Sequence, residues 1–170
     1  MRRLVLSDRY FFVTCNRLRT RGILHDDDFK ILARVITGRR AEHGFLLTAW
    51  VFLPDHWHAI LAVRHPKTIS LVVESIKVAS TRQINTCQKE SGRVWKGRFF
   101  DRALRTVKEY HERVEYIHWN PVRRGLVARP EGWKWSSVYE YGFEKLADAG
   151  PPAALRIDRV RIPAEETARV

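Results

Sequence analysis

The sequence predicts an α+β protein, a ferredoxin-like sandwich in which helices pack on an antiparallel sheet that carries a pair of histidines. Three observations predict it. Apolar stretches with strand-like composition alternate with stretches of helical period, in the order β-α-β-β-α-β-α. A Leu-Pro-Asp turn at 53–55 folds the third strand back on the second as a hairpin. The 170 residues suit one domain with a real core, followed by a tail.

Taken in order, "RYFFVTCNR" (9–17) is apolar, β-branched and aromatic, and reads as a strand. Asp26 offers an N-cap, and Phe29, Leu32, Val35 and Ile36 follow at helical spacing until Gly44 can end the helix. "FLLTAWVFL" (45–53) and "HWHAILAV" (56–63) read as the hairpin strands. A long helix is expected over 70–90, with Ile69, Val72, Val73, Ile76, Ala79 and Cys87 on one face. A loop and short strand fill 91–105. A further helix runs over 107–119, stopped by Pro121. "WKWSSVYEYGF" (133–143) closes a domain spanning 1–145, and the Pro/Ala/Arg-rich segment 146–170 is expected to be a loosely ordered tail.

Thirty-one Lys+Arg against 19 Asp+Glu give a net charge of +12, which argues for a polyanionic partner. The segments contain no basic amphipathic helix, no lipidation motif and no apolar run near the roughly 20 residues that span a bilayer, so a membrane is not the expected partner. The first residues lack the apolar length of a signal peptide, and a cytoplasmic protein is expected. Cys15 and Cys87 lack metal-knuckle spacing and are expected to be buried free thiols.

Within "FLPDHWHAIL", His56 and His58 fall on one strand face and Trp57 on the other. Two imidazoles about 7 Å apart at their backbones can converge on one cation. Two satisfied core histidines are the alternative, because a His-x-His pair alone is weak. In the last helix, Val107, Tyr110, Val114 and Ile117 form an apolar stripe. Tyr110 belongs to that stripe. Tyr116 lies roughly 140° from its centre, and Asn120 shares its face four residues on. A tyrosine packed under a loop, with Asn120 as a helix cap, is the competing reading. "RVWKGRFFDRALR" interleaves Arg93, Lys96, Arg98, Arg102 and Arg105 with Trp95, Phe99 and Phe100, a composition suited to gripping phosphates and stacking bases of a single strand. Arg123, Arg124 and Arg129 add charge downstream.

The set "FFVT", "FLPDHWHAIL", "RVWKGRFFDR", "EYIHWNPVRRGLV" and "WKWSS" followed by Tyr139 resembles the REP-associated tyrosine transposases. These are single-strand DNA transposases of the HUH superfamily, named for a histidine, a hydrophobic residue and a histidine. The resemblance covers about residues 9–143. It implies that His56 and His58 are the paired metal ligands, Asn120 the third ligand, and Tyr116 the nucleophile. It implies Mg²⁺ or Mn²⁺ as the ion, and a 5′-phosphotyrosine intermediate in cutting and rejoining single-stranded DNA near hairpins of palindromic repeats. The basic aromatic stretch would hold the strand, and Arg123 and Arg124 a hairpin. A monomer or homodimer is expected. The chain departs from the family block at Arg124, where alanine is usual, and at "LPDH", where "MPNH" is usual, so Asp55 brings a charge to the metal site. Two alternatives stand beside this reading: a non-catalytic nucleic-acid-binding protein that retains the fold, and a zinc hydrolase using the same histidines.

Overall fold

The structure, a computed structural model, describes residues 9–141 and 155–161. Its elements are β1 (Tyr10–Asn16), α1 (Asp26–His43), β2 (Leu46–Leu53), β3 (His56–Ala62), α2 (Ile69–Gln88), β4 (Phe100–Ala103) and α3 (Val107–Arg123). Two short 3₁₀ turns follow, at Pro130–Gly132 and Ser137–Glu140. The four strands form one sheet in the order β2-β3-β1-β4, with every neighbouring pair antiparallel. This is the expected ferredoxin-like α+β arrangement.

Strand alternation divides the molecule into two layers of core. Val13 and Cys15 of β1 and Trp57, Ala59 and Leu61 of β3 face α1 and α2. Tyr10 and Phe12 of β1 and Ile60 and Ala62 of β3 face α3, where they meet Tyr110, Val114 and Ile117. In β2 the alternation changes phase: Leu47, Trp50 and Phe52 share one face, while Ala49, Val51 and Leu53 share the other. A bulge between Leu47 and Ala49 inserts the extra residue that makes this possible. Without it, Trp50 and Phe52 would be turned to the α3 side.

The free edge of β2 is closed by the chain's later segments. Phe52 N–H donates to the Trp135 carbonyl (2.9 Å), Trp50 N–H to Ser137 Oγ (2.9 Å), and Leu47 N–H to Asp158 Oδ2 (2.9 Å). The Asp158 N–H returns a bond to the Leu47 carbonyl (2.7 Å), and Leu155 is buried in the α1/α2 core. An edge strand paired in this way is shielded from edge-to-edge association. Residues 155–161 are therefore pinned to the domain, contrary to the expectation of a loose tail; the rest of 142–170 lies outside the described residues.

Three local expectations are corrected. The α1 N-cap is His25, not Asp26: the His25 N–H donates to Asp28 Oδ2 at 2.9 Å, completing a capping box. Helix α3 does not stop before Pro121 but continues to Arg123 and closes at Gly125, whose φ of +70° suits glycine. Pro121 forfeits its own bond to the Ile117 carbonyl, yet Arg124 N–H still reaches the Asn120 carbonyl and Leu126 N–H the Pro121 carbonyl, both at 2.9 Å. Asn120 thus stays helical and keeps its place one turn beyond Tyr116. Cys15 is buried as expected, but Cys87 is exposed. Burial pushes the Cys15 thiol up to about 12. A disulfide-exchange reagent at neutral pH should label one thiol per native chain and two in denaturant; two native equivalents would contradict this packing.

Among the described residues, no helix is long and apolar enough to cross a membrane.

Candidate active site

The site lies where β3, β1 and α3 meet. His56 and His58 point to the α3 side of β3 and are 6% and 3% exposed. Register places Thr14 of β1 directly across from His58 and Asn16 across from His56. Thr14 Oγ1 stands 2.8 Å from His58 Nδ1, and the Phe12 ring stacks on the His58 ring with centroids 5.2 Å apart. These contacts fix the imidazole plane from the strand side.

Helix α3 closes the other side. Arg113, Tyr116, Asn120 and Arg123 recur at i, i+3, i+7 and i+10, so they share one flank. The Tyr116 ring meets the rings of His58 (5.4 Å) and Phe12 (5.7 Å) edge-on. The guanidinium groups of Arg113 and Arg123 lie 5.7 and 5.3 Å from its centroid. Asn120 is buried, with Nδ2 3.3 Å from His58 Nε2. Together with Asn16, Asp55, Phe100 and Arg124 these side chains line one cleft of about 490 Å³.

The histidine electrostatics follow from burial. Burial, reinforced by the neighbouring His56, holds His58 down to about 3. Burial also lowers His56, against the opposing pull of Asp55. Both rings are therefore neutral at physiological pH, the state a metal ligand requires. At the turn before β3, Asp55 Oδ1 is 2.6 Å from His56 Nδ1, and Asp55 Oδ2 accepts from Arg124 at 2.6 Å. Burial works against the Asp55 charge, but the bonds from His56 and Arg124 outweigh it and hold the carboxyl below the ordinary range.

The donor set fits a small divalent cation. His56 Nε2 and His58 Nε2 are 3.0 Å apart. Two adjacent ligands of an octahedral ion bound at about 2.1 Å would stand about 3.0 Å apart. The amide oxygen of Asn120 is buried without a hydrogen-bond partner, and rotation of the amide would turn that oxygen toward the same point. A hard oxygen beside two imidazoles suits Mg²⁺ or Mn²⁺.

The cleft brings together the residues expected from the sequence as catalytic and metal-binding, Tyr116, His56, His58 and Asn120, and also Arg123 and Arg124. Arg93, Lys96, Arg98, Arg102 and Arg105 are exposed but lie outside the cleft lining, and Arg102 is paired with Glu109 at 2.6 Å. The aromatic partners expected in that stretch divide. Trp95 is buried and donates its indole N–H to Ser80 Oγ (2.8 Å), and Phe99 packs at the margin of the core. Phe100 is 54% exposed and lines the cleft. Arg113, Thr14 and Asn16 are cleft residues not singled out from sequence. Arg113 was accessible, being one turn before Tyr116; Thr14 and Asn16 required the pairing register.

The family described as "Transposase IS200 like" matches residues 5–119. The chain is 29% identical over 139 residues to the REP-associated tyrosine transposase of Escherichia coli (strain K12), covering 81% of each protein. A solved structure of a REP-associated tyrosine transposase bound to a REP hairpin superposes with a TM-score of 0.72 at 26% identity, covering 95% of this chain and 98% of that one. The family match spans the paired histidines, Tyr116 and all four strands of the sheet, and on that match this chain belongs to the IS200-like transposase family.

Proposed function

We propose that the protein is a metal-dependent single-strand DNA endonuclease and transposase that cuts and rejoins DNA near repeat hairpins through a 5′-phosphotyrosine on Tyr116. The observation that carries this reading is the meeting of Tyr116 with His56, His58 and Asn120 in one cleft flanked by arginines. The likeness to a transposase bound to a REP hairpin supports hairpin DNA as the partner.

A divalent ion held by His56, His58 and Asn120 would polarise the scissile phosphate and offset its charge. The protein's own groups do the rest. Arg113 and Arg123, flanking the Tyr116 ring, would draw the phosphate to the nucleophile and stabilise charge that builds on its oxygens. The Tyr116 hydroxyl gives up its proton as its oxygen attacks phosphorus, the bond to the 3′ oxygen breaks, and that oxygen takes up a proton and leaves as a 3′-hydroxyl, so the proton count is unchanged. The phosphoester energy is conserved in the tyrosine link, so rejoining needs no nucleotide cofactor. The exposed Phe100 offers a stacking face, and Arg93, Lys96, Arg98, Arg102 and Arg105 a basic surface outside the cleft.

A zinc hydrolase would need a free carboxylate base. Asp55 is the one carboxylate lining the cleft among the described residues, and both its oxygens are engaged. The discriminating experiment is incubation with a single-stranded repeat hairpin and Mn²⁺. A covalent protein–DNA band on a denaturing gel is expected, and hydrolysis with no adduct would overturn the proposal.

Salt provides a second test. Each phosphate contact to a single strand contributes a slope of about −0.7 in log K against log salt. Replacing Arg93, Lys96 and Arg98 together by alanine should flatten the slope by about 2, from three such contacts. An affinity that does not respond to salt would remove the basic surface from the proposal.

A further inference from the structure

We infer that Asp55 and Arg124 form a positioning pair: Asp55 holds the His56 proton on Nδ1 so that Nε2 presents its lone pair to the cleft, and Arg124 holds Asp55 in place. The inference deepens the metal-centred reading above and rests on it.

The geometry leaves little freedom. The Asp55 carboxylate only accepts hydrogen bonds, so its contact with His56 Nδ1 at 2.6 Å requires a proton on that nitrogen. A neutral imidazole carries one N–H, and Nε2 is then an acceptor or a ligand. That nitrogen is the one 3.0 Å from His58 Nε2. The second Asp55 oxygen is held by Arg124 at 2.6 Å, so the carboxylate cannot swing away from the ring without breaking an ion pair. Arg124 sits at the C-cap of α3, the helix that carries Tyr116 and Asn120. The pair therefore also links the nucleophile's helix to the turn that begins β3.

Asp55 lies in the β2–β3 turn and Arg124 at the end of α3, and the structure places the two in contact across 69 residues of chain. A lone carboxylate would add negative charge beside the site, and Arg124 cancels it. Asp55 and Arg124 are 41% and 48% exposed at their side chains, so solvent screening leaves the pair a small contributor to fold stability. Orientation is the role that remains.

The test uses the full-length, metal-free protein with ¹⁵N-labelled histidine imidazoles, followed by calorimetric titration with Mn²⁺. NMR should find the wild-type His56 proton on Nδ1. Asp55→Ala should release it to Nε2 or a mixture and weaken Mn²⁺ binding about 10–100-fold. Asp55→Asn offers an amide oxygen to the same N–H and should keep the wild-type tautomer with Mn²⁺ affinity within a few-fold. Arg124→Ala should weaken Mn²⁺ binding less than Asp55→Ala, and should add nothing in the Asp55→Asn background. An unchanged tautomer and Mn²⁺ affinity in Asp55→Ala would overturn the inference. Should that variant not fold, a wild-type His56 proton found on Nε2 would overturn it equally. A wild type whose tautomer follows Asp55 but which binds no Mn²⁺ would instead defeat the metal-centred reading and leave the positioning geometry standing.

Discussion

Tyr116→Phe should form no covalent adduct with a single-stranded hairpin, while binding that hairpin within about twofold of wild type and keeping its fold. The substitution removes one oxygen, and that oxygen is the proposed attacking atom. No other part of the ring can bond to phosphorus, so the loss is complete rather than partial. The ring contacts that place Tyr116 between Phe12, His58 and the two arginines are kept by phenylalanine. The hydroxyl makes no hydrogen bond among the described residues, so its removal should change stability by no more than about 0.5 kcal/mol. Tyr110 is the control on the same helix. It is 2% exposed, stands edge-on to Tyr10 at 5.8 Å and has its hydroxyl 3.3 Å from that of Tyr141. Tyr110→Ala should cost about 3–5 kcal/mol by emptying a core position. Tryptic mass spectrometry of a trapped wild-type adduct should find the nucleotide on the Tyr116 peptide. A nucleotide on Tyr110, or cutting by Tyr116→Phe, would discard the nucleophile assignment.

The contrast between these two tyrosines is readable in the sequence. Helical angle alone separates Tyr116 from the apolar stripe, and strand alternation alone puts His56 and His58 on one face. Both rules depend on local periodicity, which the side chains of one segment carry in full. The missed features depend on where an element ends relative to its neighbours. Cys87 continues the α2 stripe in angle, but burial on that helix ends at Ile84, and the last turn overhangs the core. Pro121 predicts a stop, yet the helix loses only one bond there and its buried ring is retained in the last turn. Trp95 resembles a stacking platform in sequence because exposure cannot be read from residue type; its indole instead satisfies Ser80 inside the core.

The same distinction applies to the site. The His pair, Tyr116 and Asn120 come from two segments with strong local signals, and the resemblance joined them. The outer contacts came from pairing. Thr14 reaches His58 because β1 and β3 pair in a register that sets the two residues opposite each other. Asp55 reaches Arg124 because α3 crosses the sheet at the β2–β3 turn. Neither relation has a signature in one segment of sequence. The Thr48 bulge is a similar case: one extra residue reverses the facing of Trp50 and Phe52, and no turn residue announces it.

His58→Leu should abolish Mn²⁺ binding and lower cleavage by about a thousandfold, because losing ~4 kcal/mol of charge stabilisation at the phosphate slows the reaction by that factor. Leucine, which has nearly the volume of the ring and no donor atom, is the better test than alanine. The His58 ring is 3% exposed, stacked on Phe12 and edge-on to Tyr116, so truncation would open a cavity next to the nucleophile and confuse loss of metal with loss of packing. Two readouts separate the causes. For wild type, Mn²⁺ at 100 times its dissociation constant should stabilise the fold by about 2.7 kcal/mol, seen as a rise in Tm. That rise should vanish in His58→Leu, whereas hairpin affinity should persist, since the basic side chains that would contact phosphate are untouched. His56→Leu should behave alike, because the two Nε2 atoms stand 3.0 Å apart and address one point. A folded His58→Leu that still cleaves at the wild-type rate would remove the metal from the mechanism. A variant that loses hairpin binding and cleavage in equal measure would place His58 in DNA recognition instead.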